Sequence, residues 1–330
     1  MTPRSRFGLQ LVTLHLPPKS LFSFERYTLT ARNRVAKVTV IVQLGICLCA
    51  IGCAKAFCQD SQKQSSPSTE VTAPAPSLPF YPLDAVMVPG ENTALVVDRN
   101  LPGVWRWQAG KMEIFAQGSK KFRQPLNAVR CLALDHNGVL LVGDTSTRDI
   151  YRVEPGGKFT PITGGGIGIP MDIAVKADGT IYVADLETQY LLRIAANTAN
   201  VERVAQVNPR GVFVDSQQQV WVVSQNAQQL LVVADDGKSE VIVDGRQFEF
   251  PHQVVVNSAG EAFVSDGYKK SIWKVIRGSK PTQVVQGPPL DNPVGLAIKD
   301  DRIYVVDPRA CKVFELTKES KLIESFSIAP

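Results

Sequence analysis

A unit of about 42 residues is written six times between residue 82 and the C-terminal end of the chain, and such a period constrains the fold more than any other feature of the sequence. Four copies open with Pro, two variable residues and three apolar ones: Pro170–Val175 (PMDIAV), Pro209–Val214 (PRGVFV), Pro251–Val256 (PHQVVV) and Pro293–Ile298 (PVGLAI). Two earlier copies are looser, Pro82–Met87 (PLDAVM) and Val129–Leu134 (VRCLAL), the latter with Val in place of Pro.

A turn follows the opening in most copies (HNG at 136–138, ADG at 177–179, SAG at 258–260), and then a second apolar run that ends in Asp98, Asp144, Asp185, Asp266 or Asp307. Copy four departs, with Ser224 for Asp and the Gln217–Gln219 turn. A third run pairs a bulky residue with a mostly charged one, as in Trp105-Arg106, Tyr151-Arg152 and Trp273-Lys274, and a fourth closes the unit. Four short runs separated by Gly-containing turns make one antiparallel sheet. A lone sheet leaves both faces wet, whereas six arranged radially cover one another. No gap between runs is long enough for the helices that an α/β fold needs. The expected fold class is therefore all-β: a six-bladed β-propeller over residues 80–330, with the apolar opening as the innermost strand of each blade.

The wording of the unit, Pro-x-Gly-hydrophobic-Ala-Val, then Gly-x-Ile-Tyr-Val-Ala-Asp, then a strand ending in Arg-Ile or Lys-Val, resembles the NHL-repeat family, most closely at Pro170–Ile194. The resemblance covers 82 to about 326. It implies the propeller and leaves function open, because one fold hosts many functions. A more distant likeness in fold is to the SMP-30/gluconolactonase propellers, which implies one divalent metal (Ca, Zn or Mn) near the channel mouth and lactone or ester hydrolysis. The Glu-Gly-Pro opening of that family is absent, since the first copy reads Pro82-Leu83-Asp84.

Ahead of the repeats the chain changes character. Residues 1–58 carry eight Lys/Arg against Glu25 alone, which leaves 28 basic and 30 acidic residues in 59–330. The overall charge of +5 thus belongs to the leader, and the body has no cluster of basic residues of the kind that nucleic acid requires. Val38–Ala54 is apolar and uncharged, and follows Arg32, Arg34 and Lys37, the order of an export signal. Three outcomes stay open: cleavage after Ala56, lipidation of Cys53 in the lipobox-like stretch 50–53, or a short uncleaved anchor. Residues 34–58 are assigned to this signal. Residues 1–33 form an extension that fits no signal, and a non-Met start near Leu29 or Val35 is expected. Residues 59–79, rich in Ser, Pro and Ala without aromatics, read as a disordered linker. The expected location is periplasmic, cell-surface or secreted, with membrane contact only through the leader or a lipid. Cys131 and Cys311 alone lie in the repeats, in non-adjacent blades, so the core must hold the body together without a disulfide framework.

No Gly-x-Ser-x-Gly elbow, phosphate-binding loop, HExxH or CxxC occurs in the body. NHL-like lyases hold zinc through several histidines, and the body has His136 and His252 only. No cofactor is expected, and the chain reads as a binding module for a protein, glycan or small ligand. The strand-end aspartates, kept in five copies of six, read as acceptors for backbone N–H groups in the adjacent loop. The third residues of the six openings are Asp84, Cys131, Asp172, Gly211, Gln253 and Gly295. Their alternation of polar and small places Asp84, Asp172 and Gln253 as the polar floor of a pocket on the channel axis, with Arg130, Arg210 and His252 beside it. Asp84 and Asp172 are also the candidate metal ligands if the hydrolase reading holds.

Overall fold

The computed structural model describes residues 80–328, and the signal, Cys53 and the linker to residue 79 lie outside them. The described residues form six antiparallel sheets of four strands each, in sequence order within every sheet, with no helix. The chain is a six-bladed β-propeller. The innermost strands are Pro82–Met87, Val129–Leu134, Pro170–Val175, Pro209–Val214, Pro251–Val256 and Gly295–Lys299, blades one to six in order. In blade six the strand begins two residues after Pro293, because Val294 N–H already bonds back to Val306 C=O ahead of the ladder.

Burial grades outward as the residue types require. The second strand of blade one, Thr93–Asp98, is buried along its whole length, whereas its outer strand, Lys111–Gln117, is mostly exposed and carries charge that discourages pairing at the free edge. Each of the six hydrophobic clusters joins two neighbouring blades and none is confined to one blade. No blade has a core of its own, so the ring is the folding unit. Closure uses no shared strand: Phe80, Met87 and Val96 of blade one pack on Tyr304, Val313 and Phe326 of blade six, with Trp107 stacked on Phe326 at 4.3 Å between centroids.

The turns after the inner strands follow one plan. In blade two Asp135 accepts the N–H groups of Asn137 and Val139, and Gly138 supplies the left-handed residue at φ +76°. Blade four builds the same turn without glycine. Asp215 accepts from Gln217 and Gln219 N–H, and Gln218 takes φ +63°, held by its side chain, which accepts Ala177 N–H from blade three at 2.7 Å. The Gln-rich departure in copy four therefore changes the residues and keeps the shape.

Candidate functional site

The openings and the strand-end aspartates meet at one end of the channel, since antiparallel pairing sets Pro82 opposite Asp98 and Pro251 opposite Asp266. Each of these carboxylates caps the loop that approaches its blade together with the loop that leaves the second strand. Asp144 accepts from Asn127, Ala128 and Ser146 N–H, and Asp185 from Gly168, Ile169 and Thr188. Asp266 accepts from Glu249, Phe250 and Lys269, and Asp307 from Asp291, Asn292, Arg309 and Ala310. In blade four Ser224 Oγ donates to Val207 C=O and accepts Asn226 N–H.

On the axis the third residues behave differently. Asp84 bonds Ala85 N–H and reaches Leu132 N–H of blade two, Asp172 bonds Ile173 N–H and reaches Val212 N–H of blade four, and Gln253 Oε1 accepts Leu296 N–H of blade six at 2.6 Å. Three long side chains thus tie blades one to two, three to four and five to six. At two of the intervening junctions glycine lets the backbones close: a Cβ on Gly211 would sit 2.6 Å from His252 C=O, and one on Gly295 2.9 Å from Leu83 C=O. The alternation seen in the sequence is the alternation of tie and close contact around the ring.

The three ties converge. Gln253 Nε2 donates to Asp172 Oδ1 at 3.2 Å, and Asp84 lines the same cavity. All three are buried. Burial pushes Asp84 up to about 7 against the pull of its backbone donors, Gln253 and Arg130. Burial, and then the Asp84 charge, push Asp172 well above the usual carboxylate range. Two coupled carboxyls in one buried site favour their protonated forms more than exposed carboxyls do.

This polar layer partitions the channel. On its far side lies a cavity of about 260 Å³ walled by apolar residues such as Val86, Leu134, Val175 and Val214. On the side of the openings stand the second residues: Leu83, Arg130, Met171, Arg210, His252 and Val294. In blades one to five a register shift lies at the start of the pairing between inner and second strands, and the second residue of the opening has no partner in the ladder. Such bulges re-aim a side chain, and the Pro or Val before them begins the strand. Arg130 Nε lies 3.2 Å from Met171 Sδ, and Arg210 Nη2 lies 3.4 Å from His252 Nδ1. Burial and then the two guanidinium groups push His252 down to about 3, so the ring is neutral. Burial and the charge of Arg130 push Arg210 down to about 10, which leaves it charged. Above this ring opens a cavity of about 460 Å³ lined by Tyr81, Arg99, Arg130, His252 and Asn292. Gly267 lets His252 and Asn292 stand close, since a Cβ there would meet Asn292 Oδ1 at 2.7 Å and His252 Nε2 at 2.9 Å.

The structure thus brings the six residues singled out in the sequence into two adjoining levels, Asp84, Asp172 and Gln253 below and Arg130, Arg210 and His252 above. Tyr81, Arg99 and Asn292 were not legible as members, since they sit in loops with no repeated signature. Cys131 is fully buried beneath Arg130, and burial pushes its thiol well up. Among the described residues no three His, Cys, Asp or Glu side chains are grouped to hold a metal ion.

No protein-family model matches the chain, and no curated protein matches it in sequence. Solved structures do resemble it in fold. Virginiamycin B lyase from Staphylococcus aureus is 13% identical, with 74% of this chain and 84% of that one covered at a TM-score of 0.58. A gluconolactonase from Xanthomonas campestris is 14% identical, covering 70% and 84% at 0.59. A chain of a nidogen/laminin complex is 18% identical, covering 74% and 92% at 0.60. At these identities the likeness is one of fold, shared by a lyase, a lactonase and a member of a protein complex.

Proposed function

We propose that the chain is an exported binding module of NHL-repeat type that seats a small ligand, or the end of a glycan, at the channel mouth on the side of the openings. The observation that carries this reading is the contrast between the two levels. The lower level spends its polar atoms on the backbone of the next blade, while the upper level presents charged and aromatic groups to a cavity large enough for a small molecule. Support for export comes from the leader, and support for the NHL assignment from the repeat wording.

A lactone or ester hydrolase of the gluconolactonase kind fits the residues less well. Divalent cations take several charged or carbonyl oxygens. Here the oxygens of two buried carboxyls accept N–H bonds from blade backbones, and the third member of the layer is an amide already bonded to Leu296 and Asp172. His252 has Arg210 rather than a carboxylate at its Nδ1, so nothing prepares it as a general base. Thermal-shift titration of the intact chain separates the two readings. Stabilisation by small sugars or sugar acids without metal dependence is the expected result. Stabilisation by Ca²⁺, Zn²⁺ or Mn²⁺ that EDTA reverses, together with lactone turnover, would establish the hydrolase.

A further inference from the structure

Eleven basic side chains of the described residues pair with a carboxylate within 4.0 Å, and Arg99, Arg130 and Arg210 are not among them. Arg99 and Arg130 line the mouth cavity, and Arg130 and Arg210 line the small void that adjoins it. Arg130 and Arg210 are the bulged second residues of blades two and four, and each is half-buried. Arg210 is held flat, its guanidinium carbon 4.8 Å from the centre of the Phe250 ring, and Phe250 is stacked in turn on the exposed Tyr268 at 4.6 Å. Arg99 stands further out over Tyr81 at 5.8 Å. The Nε–H of Arg210 is buried without an acceptor.

Like charges brought together in a cleft repel one another, and the low-dielectric walls intensify the field that they project outward. The carboxyl that acts on Arg130 is that of Asp84, beneath the ring, and its own oxygens are taken by Ala85 and Leu132 N–H. The neutral His252 adds no charge, and its Nδ1 faces Arg210, so the ring proton sits on Nε2 as one more donor. Between Arg130, Arg210, His252 and Gln253 a void of about 20 Å³ remains, the size of a single oxygen-bearing group, and it shares walls with the wider mouth cavity. Guanidinium forks match the paired oxygens of carboxylate and phosphate.

Resting on the reading of the mouth as a ligand seat, we propose that its ligand is an oxyanion: a carboxylate- or phosphate-bearing small molecule, or the acidic end of a glycan, whose anionic group is clasped between Arg130 and Arg210 on the axis. Arg99 draws the ligand in, and Tyr268 and Tyr81 flank whatever carbon skeleton remains outside.

The intact protein is titrated calorimetrically and by thermal shift with glucuronate, inorganic phosphate, a glucuronate-terminated oligosaccharide and neutral glucose, at fixed ionic strength in chloride. Oxyanions are expected to bind saturably and glucose not at all. Arg130→Met and Arg210→Met, which keep much of the side-chain length, are each expected to weaken binding roughly ten- to hundredfold, as the loss of a charge-assisted bond does. Without ligand in low salt, the two variants should melt no lower than the parent, since each removes an unpaired like charge. Tighter binding of the oligosaccharide than of glucuronate identifies a glycan end, and equal binding a free acid. Binding of glucose as strong as glucuronate, with both arginine variants unaffected, overturns the oxyanion assignment and leaves the ligand seat standing. Failure of every probe to bind below about 10 mM overturns both.

Discussion

Two sets of aspartates, which share adjacent strands in blades one and three, meet opposite fates. The strand-end set, Asp98, Asp144, Asp185, Asp266 and Asp307, is buried and ringed by backbone N–H donors from two loops. The axial pair, Asp84 and Asp172, is equally buried, yet the two face each other across one glutamine. A carboxylate surrounded by donors stays with its own loop, which is why it recurs in copy after copy. A carboxyl that faces another carboxyl has a role in the assembled ring only. Repetition marks what a blade needs for itself, and its interruption marks what the ring makes of six blades.

The largest effect should come from breaking the first set. Asp307→Ala leaves the N–H groups of Asp291, Asn292, Arg309 and Ala310 without their acceptor, and unpaired buried donors cost about 1–3 kcal/mol each before water reaches them. A loss of about 3–5 kcal/mol in urea denaturation is expected, near the top of the range for single substitutions. Asp307→Asn, which keeps one acceptor oxygen, should fall between. If Asp307→Ala costs under about 1 kcal/mol, the N–H cage is not what holds the mouth together and the contrast between the sets dissolves.

Much of this was legible in the sequence because each blade repeats its own requirements. The Pro openings, the Asp endings and the Gly turns each carry a local backbone reason, so six copies sufficed to read strand number, sheet order and the shared mouth. The alternation at the third position singled out Asp84, Asp172 and Gln253, which the structure places along one cavity, with Gln253 bonded to Asp172. Hidden was the register shift behind the opening Pro or Val of blades one to five, which turns Arg130, Arg210 and His252 into the channel as a level of their own. A trace of it was present, since those positions carry long basic or aromatic residues where blades one, three and six have Leu83, Met171 and Val294. Nothing in the repeat could assign Arg99, Tyr81 or Asn292, which reach the mouth only when blade six closes on blade one.

The axial pair can be tested through pH. Burial raises Asp84 to about 7 and pushes Asp172 well up, whereas free carboxyls titrate near 4. Between about pH 4 and 7 the folded chain therefore holds protons that the unfolded chain has released, and this contribution to stability, complete below pH 4, fades as pH rises through that window. His252 has the opposite sign: held down at about 3 against an ordinary 6.5, it contributes stability above pH 6.5 that is lost as the pH falls. Comparison with Asp84→Asn cancels the histidine. The stability difference between parent and variant should favour the parent at pH 5 and shrink by roughly 3 kcal/mol by pH 8, each pH unit with one proton's difference being worth about 1.4 kcal/mol. A difference that is flat with pH would show that burial does not raise Asp84 through this window, and the contrast drawn for the axis would fail.

The smallest effect, and the sharpest test of the cages, lies in blade four, where Ser224 stands in place of the recurrent aspartate. Restoring the aspartate of the other copies is the change that repeat comparison recommends. The geometry predicts otherwise. Ser224 Oγ is a donor to Val207 C=O at 2.5 Å as well as an acceptor for Asn226 N–H at 3.0 Å, and a carboxylate can do only the second. The approaching loop in this blade is Val207 and Asn208 alone before Pro209, and Asn208 N–H is already bonded to Gln189 C=O. Blade four thus turns a carbonyl toward the strand end where the other blades turn N–H groups. Ser224→Asp should set a carboxylate against that carbonyl and lower stability by about 1 kcal/mol, the cost of one buried hydrogen bond with modest repulsion added. Ser224→Ala, which loses both bonds but brings no charge, should cost a similar amount. A rise in melting temperature for Ser224→Asp would mean that the loop can swing its N–H groups inward, and that the cage is made by the carboxylate rather than prepared by the loop.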